Sequence, residues 1–474
     1  MVYVGAARSL ASGAGFYLIY TQPPYPFSHW APLYPLILAA PARLGMDPAQ
    51  AARAANSISL ALTVFLTGLI ARRHCGRAGV LAALLVLFSR DIVDIHSQAL
   101  SEPLFTTLLL ASVLLLLLYL GSGHTKHLLW LSAIIGLALL TRYAGAFLLI
   151  SATLTIVVLG GGRWPKVRQV LLATALSALP VAAWVVRNIV ASRAALGERQ
   201  ILFHAPQLHH FADLLTTLTL WFVPGRVFRP VLLVLPLGGC AVVLIALVRS
   251  KRLNSQSALL LRTSAIIFGI YLCSLFATVC LADAMTPFDE RLLVPVYPVA
   301  ILMLVSSSAI FWEIFPTRSI RYSVSFFACL ALASGAARSG KTLLDTRSNG
   351  IGFQNAIWGD DEIRDYVSNL PKGILAYTDD DARAYYLTGV ALHPLPQRTS
   401  SITKLANRQF QAQMAGLADY GRVIIVFDPG GLNRMGSPSI PELRDRGFSL
   451  LFRSAKGTCV MATAPEYTGS STGP

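Results

Sequence analysis

The chain has 474 residues, of which 54% are apolar and 13% charged, and its net charge is +16. A soluble globular domain holds about 25% charged residues, so the composition excludes an ordinary soluble protein and points to the membrane. The basic residues sit between apolar blocks rather than in runs interleaved with aromatics, which argues against nucleic-acid binding and for positive-inside anchoring.

The chain opens with "VYVGAARSLASGAGF", in which Tyr3, Ala7 and Leu10 fall at helical spacing and Arg8 points off the other side. An interfacial helix on the outer face is expected, ended by Gly13 and Gly15. Next comes "PFSHWAPLYPLILAA", 26–40, where Pro32 and Pro35 break helix beside the membrane. His29 and Trp30 sit at the outer interface, where Trp30 and Tyr34 read as an aromatic belt, or else the loop reads as a lid over an outer site. Residues 31–46 are expected as an interfacial helix.

Apolar blocks of roughly 20 residues are long enough to span a bilayer. Ten spans are expected, at 49–72, 77–95, 100–121, 127–142, 144–161, 168–188, 229–249, 257–282, 291–314 and 319–338. Residues 211–223 read as interfacial. The loops "ARRHCGR", "HTKH", "GRWPKVR", "VRSKR" and "TRSIR" are short and basic, which places them in the cytoplasm and the intervening loops outside.

Three segments carry candidate chemistry. "RDIVDIHSQALSEPLF", 90–105, clusters Asp91, Asp94, His96 and Glu102 where one helix leaves the membrane and the next enters. Glu102 either caps its helix or acts in a site, since ionisable groups at a span edge are functional by default. Asp91 and Asp94 fit solvation as well as function. "LLTRYAG", "WVVRNIV" and "TPFDERLLVPVYP" place Arg142, Arg187 with Asn188, and Arg291 on the outer face, where few cations are expected. Arg291 pairs with Asp289 or Glu290, or else the three arginines converge on an anion; guanidinium forks suit phosphate oxygens. His204, His209 and His210 read as interfacial loop histidines. Six scattered cysteines without CxxC spacing support neither a disulfide framework nor a zinc site.

After about residue 340 the pattern changes. "GILAYTDDDARAYYLTG" and "GRVIIVFDPGG" put β-rich runs before polar turns, and "DDEIRDYVSNLP" and "SIPELRDRGF" look amphipathic. A small α/β domain outside the membrane is expected. The expected division is an outer loop with interfacial helices at 1–48, a transmembrane domain at 49–340, an α/β domain at 341–466 and a disordered tail at 467–474.

Taken together, "VYVGAARSLASGAGF", "HWAPLYPLILA", "ALSEPLF", "LLTRYAG", "WVVRN" with "LGER", and "ERLLVPVYP" resemble, in order, segments of the polytopic glycosyltransferases that use polyprenyl-phosphate sugars. This group includes protein O-mannosyltransferases and lipid A aminoarabinose transferases. The resemblance covers about residues 1–320 and implies the type-C glycosyltransferase fold, a polytopic helical membrane protein with a small extracytoplasmic α/β domain. It implies an inverting transfer of sugar from a polyprenyl-phosphate donor to a lipid, glycan or protein acceptor on the outer face of the cytoplasmic membrane.

By position Glu102 matches the family's second acid, which holds a divalent metal or orients the acceptor. Arg142, Arg187, Arg291, Asn188 and Arg8 are then candidates for the lipid phosphate, and Asp94 and His29 for catalytic roles, with the loop around His29 closing over the sugar. The family's base aspartate falls at or just ahead of Met1, so a natural start about 30–40 residues upstream, enough for one more span, is expected over an inactive truncated product. Two further readings stay open: a transporter or flippase of a polyprenyl-linked substrate, and a polymerase or ligase of surface polysaccharide. The absence of an internal repeat and the scarcity of mid-span acids weigh against a transporter.

Overall fold

A computed structural model describes the chain apart from residues 1, 161–164, 199–202, 204, 223–230, 251–254, 282–287, 315–317, 352–354, 356–357, 372, 400–405, 418–420, 428–435 and 464–474. The expected tail at 467–474 and His204 lie outside the described residues, as do parts of the basic loops at 162–168, 248–252 and 317–321. The chain divides into two compact units. One comprises Trp30–Gly197 with Ile201–Ser348; the other comprises Met1–His29, Glu198–Gln200 and Asn349–Pro474.

The elements run α1 (Val2–Ala11), β1 (Tyr17–Leu18), β2 (Tyr25–Pro26), α2 (Leu33–Ala42), α3 (Pro48–Cys75), α4 (Ala78–Leu87), α5 (Arg90–Ser97), α6 (Glu102–Ser122) and α7 (Thr125–Thr141). A 3-10 turn, Tyr143–Gly145, leads into α8 (Ala146–Leu159), α9 (Pro165–Ser192), β3 (Ala195–Glu198), α10 (Leu208–Leu220), α11 (Val231–Ser250), α12 (Gln256–Leu281) and α13 (Glu290–Leu293). A second 3-10 turn, Val294–Val296, precedes α14 (Tyr297–Ile314) and α15 (Arg318–Asn349). The remainder is α16 (Asp361–Ser368), β4 (Leu375–Thr378), α17 (Asp381–Thr388), β5 (His393–Pro394), α18 (Phe410–Leu417), β6 (Arg422–Val426), α19 (Ile440–Asp445), β7 (Phe448–Arg453) and β8 (Cys459–Thr463).

The helical unit is a multi-pass membrane bundle. Among the described residues, five segments are long and apolar enough to cross a bilayer: Pro48–Cys75, Glu102–Ser122, Arg168–Ser192, Gln256–Leu281 and Glu290–Ile314. Five shorter apolar helices of 10–17 residues accompany them. The block expected as one span at 77–95 is two helices, α4 and α5. Phe88 ends α4, and the Ser89 hydroxyl accepts from Ile92 N at 3.5 Å to start α5. The expected span at 319–338 is part of α15, a single helix of 32 residues that runs on to Asn349.

Lipid gives helices little reason to associate through apolar contact, so their interfaces rely on small and polar side chains. Helix α3 buries Asn56, Ser59, Thr63 and Thr67 on one face. Thr63 lies 3.2 Å from the Thr107 hydroxyl of α6, and Thr107 also donates to the Ser59 carbonyl at 3.0 Å. Helix α15 approaches the end of α4 just as closely. Ser339 donates to the Phe88 carbonyl at 2.9 Å, and a Cβ on Gly335 would stand 2.6 Å from that oxygen, which only glycine avoids.

The second unit holds a five-stranded sheet of order β5-β4-β6-β8-β7, with β4 parallel to β5 and β6 and the remaining pairs antiparallel. Both faces are covered. Along β6, Val423 and Ile425 join one core with Ile363, Val367 and Leu387, while Ile424 and Val426 join the other with Leu443, Phe448 and Met461. Asp360 caps α16 and accepts from Ser454 Oγ at 2.6 Å and Thr458 Oγ1 at 2.7 Å. The N-terminal segment belongs to this unit: Thr21 bridges Leu392, and Gln22 N donates to the Leu392 carbonyl at 3.2 Å. The boundary expected near residue 48 therefore differs from the division in the structure, which falls between His29 and Trp30.

Candidate active site

The site in the helical unit forms where three chain segments change direction. Glu102 is the first residue of α6, behind Ser101, and its side chain is fully buried. Arg142 is the extended residue between α7 and the Tyr143–Gly145 turn. Arg291 lies in the one-turn helix α13, whose start is capped by Asp289 accepting from Leu292 N at 3.1 Å.

All three meet at one atom. Arg142 Nη1 and Arg291 Nε each stand 2.6 Å from Glu102 Oε1. The sequence had offered Asp289 or Glu290 as partners for Arg291, but the acid it finds lies 189 positions away. Ser101 completes the group, donating to Glu102 Oε2 at 3.4 Å and accepting from Arg142 Nη1 at 3.4 Å.

One carboxylate between two guanidiniums leaves a net positive charge. The Arg142 side chain is 18% exposed and that of Arg291 49% exposed. Arg291 uses only its Nε on Glu102, and neither of its Nη atoms bonds to any described residue. A planar fork fixed at its base with its outer edge open is suited to an anion with two oxygens to offer.

A second polar group lies on α9. Trp184 Nε1 donates to the Tyr143 hydroxyl at 2.9 Å, and Asn188 Nδ2 does so at 3.4 Å. Arg187 Nη1 donates to Asn188 Oδ1 at 3.1 Å, and its guanidinium stands 4.8 Å from the Trp184 ring centroid. Asn188 also holds the Ala195 carbonyl at 3.2 Å.

The other sequence candidates have surroundings of their own. Asp94 accepts from Gln98 Nε2 at 3.3 Å, and burial with Glu290 nearby raises its carboxyl above the usual range, against Arg90 and Gln98, which lower it. Its neighbour Asp91 is pushed up to about 6 by burial and by Glu290. His96 donates from Nδ1 to the Ile92 carbonyl at 2.7 Å, and burial pushes it down to about 4, so its imidazole is neutral. His29 and Arg8 belong to the other unit. His210 pairs with Gln207 to cap α10, which gives it a structural part.

A metal does not fit Glu102. Its Oε1 already faces two cations, and among the described residues no three His, Cys, Asp or Glu side chains gather as a ligand set.

The arrangement can be set beside known proteins. The family model described as dolichyl-phosphate-mannose-protein mannosyltransferase matches residues 28–186, the stretch that contains Glu102, Arg142, Tyr143 and Trp184. The crystal structure of ArnT from Cupriavidus metallidurans in the apo state superposes with a TM-score of 0.58 at 13% identity, over 98% of this chain and 94% of that one. ArnT bound to undecaprenyl phosphate gives 0.55 at 11% identity, over the same shares. The archaeal oligosaccharyltransferase AglB from Archaeoglobus fulgidus, in complex with an inhibitory peptide and a dolichol-phosphate, gives 0.54 at 12% identity, over 98% of this chain and 70% of that one. No curated protein sequence matches.

This is a type-C glycosyltransferase fold. The matching family model and these structural neighbours belong to glycosyltransferases, and the chain shares their fold.

Within this glycosyltransferase fold, sequence reasoning singled out Glu102, Arg142 and Arg291 separately, and the structure brings them together. It missed Ser101, Tyr143 and Trp184. Tyr143 had one signal in the sequence: a tyrosine directly after an arginine at a helix break, where an amphipathic ring is expected to find a partner for its hydroxyl.

Proposed function

We propose that the chain transfers a sugar from a polyprenyl-phosphate carrier to an acceptor hydroxyl on the outer face of the membrane. The observation that carries this reading is the half-exposed Arg291 fork, held by Glu102 through Nε with neither Nη atom bonded to a described residue. The undecaprenyl phosphate bound to ArnT and the dolichol-phosphate bound to AglB support a lipid-phosphate donor.

The acceptor oxygen attacks the anomeric carbon and gives its proton to a general base. The bond from that carbon to the phosphate oxygen breaks, and its electron pair leaves with the lipid phosphate, so the configuration inverts. Arg291 stabilises the charge that builds on the leaving phosphate, and Arg142 adds positive potential beside it. Glu102 keeps the two cations together without binding the substrate itself. Arg187, beside Asn188 and Trp184, is a second contact for the phosphate or the sugar.

The test is transfer of radiolabelled sugar from a polyprenyl-phosphate donor in membranes that carry the full chain. Arg291→Ala is expected to lower the rate by about 10²-fold or more, the usual loss when a donor to developing charge is removed. Glu102→Gln is expected to lower it comparably with expression maintained. Transfer at the wild-type rate in both variants would remove the site assignment.

A further inference from the structure

The Tyr143 hydroxyl uses its whole bonding capacity. A phenol offers one donor and two acceptor positions. Here it accepts from Trp184 Nε1 at 2.9 Å and from Asn188 Nδ2 at 3.4 Å, and it donates to the Trp30 carbonyl at 3.4 Å. These three partners come from two places in the chain: Trp30 ahead of α2, and two residues one turn apart on α9.

The backbone of Tyr143 matters as much. It follows Arg142 directly and opens the Tyr143–Gly145 turn, whose Gly145 N donates to the Arg142 carbonyl at 2.8 Å. One residue therefore carries Arg142, which grips Glu102, and also binds Trp184 and Asn188, the two side chains on which Arg187 rests. Arg142 follows the end of α7, and Arg187 lies on α9. This hydroxyl is a hydrogen-bonded link between their two groups.

We infer that Tyr143 is a positioning residue that fixes the spacing of Arg187 from the Arg142–Glu102–Arg291 group, so that both cation groups address one lipid-borne phosphate; the inference rests on the function proposed above. The alternative is that Tyr143 only stabilises the α7–α9 contact. The two differ in how the arginines couple. Cations held around one anion by a fixed frame lose affinity non-additively when both are altered, whereas independent sites add.

The measurement is binding of undecaprenyl phosphate to the purified full chain in detergent, for Arg142→Lys, Arg187→Lys and the double variant, each with Tyr143 and with Tyr143→Phe. Phenylalanine keeps the ring and removes only the hydroxyl. Tyr143→Phe is expected to weaken binding about tenfold, in the range of a few lost hydrogen bonds. The arginine effects, coupled in the wild type, are expected to become additive in the Phe background. Trp184→Phe, which removes one of the three bonds, should move binding in the same direction by a smaller factor, and it serves if Tyr143→Phe fails to fold.

Unchanged affinity in Tyr143→Phe, or weaker affinity with the coupling intact, would overturn the inference and leave the proposed function standing. Wild-type protein that binds undecaprenyl phosphate but transfers no sugar from its glycosylated form would overturn the function and leave the frame. No binding by the wild type would overturn both.

Discussion

The ion-pair group at Glu102 makes a quantitative prediction about stability. Glu102→Gln keeps the size of the side chain and one carbonyl acceptor but removes the charge. Removing one partner of a buried ion pair costs about 3–5 kcal/mol, because the remaining charge is left without compensation. The two arginines do not share that cost equally. Arg291 is half exposed, so water screens it and its share is about 1 kcal/mol or less. Arg142 is 18% exposed and faces a fully buried carboxylate, so it carries most of the loss, about 2 kcal/mol. The sum is about 3 kcal/mol for Glu102→Gln. Arg142→Gln alone should cost about 2 kcal/mol, because Glu102 keeps Arg291. The double variant leaves neither buried charge stranded, so it should cost clearly less than the two added together, with a coupling of about 2 kcal/mol. SDS unfolding in mixed micelles reads these differences. Additive effects, or a Glu102→Gln cost below about 0.5 kcal/mol, would show that the group holds nothing in place and would refute the reasoning.

Burial pushes Asp381 up to about 6, helped by Asp380. A carboxyl whose folded value is raised contributes fully below the ordinary range near 4 and loses that contribution as pH rises through about 6. Asp381→Asn should therefore raise thermal stability at pH 8, by at most about 3 kcal/mol, and give no gain at pH 4; equal gains at both would refute the burial argument. Asp360→Ala removes a helix cap and strands the hydroxyls of Ser454 and Thr458, at a cost of about 2–4 kcal/mol measurable by denaturant unfolding. Gly335→Leu should displace α15 from the Phe88 carbonyl, with a loss of about 1–3 kcal/mol in SDS unfolding. Unaltered stability in either variant would count against the contact it tests.

The membrane architecture was legible because hydropathy reports the length of a span, and α3, α6 and α12 each reproduce an apolar block of the sequence. The break between α4 and α5 was not. The apolar run at 78–88 gives way to Ser89, Arg90, Asp91 and Asp94, and Ser89 caps a new helix there, a local break that reading 77–95 as one block passes over. The α/β character of the C-terminal part was legible from runs such as "RVIIV" ahead of a turn. That Val2–His29 joins the same unit was not, because a bridge between Thr21 and Leu392 depends on backbone pairing across 371 positions and leaves no pattern in either segment.

The site was half legible for a related reason. A charge at the edge of an apolar block is conspicuous, so Glu102, Arg142 and Arg291 stood out singly. What they bind depends on the turns between helices, and those turns follow from packing. Gly145 shows how. A Cβ there would stand 2.8 Å from Leu139 N and 2.9 Å from the Ala138 carbonyl carbon, so only glycine lets the Tyr143–Gly145 turn fold back on the end of α7. That fold leaves Arg142 extended and aimed at Glu102 rather than continuing the helix. The Val294–Val296 turn follows the one-turn helix that carries Arg291, and the Tyr271 hydroxyl takes up the Leu292 carbonyl beside that break. Backbone freed within a membrane bundle must find partners in protein. Here the partners come from side chains such as Tyr271, and the breaks they make tolerable are the places where two arginines turn toward one acid. The charge that fits a lipid phosphate is therefore a product of two irregular turns, and substitutions that straighten them should remove the site while leaving every charged residue in the chain.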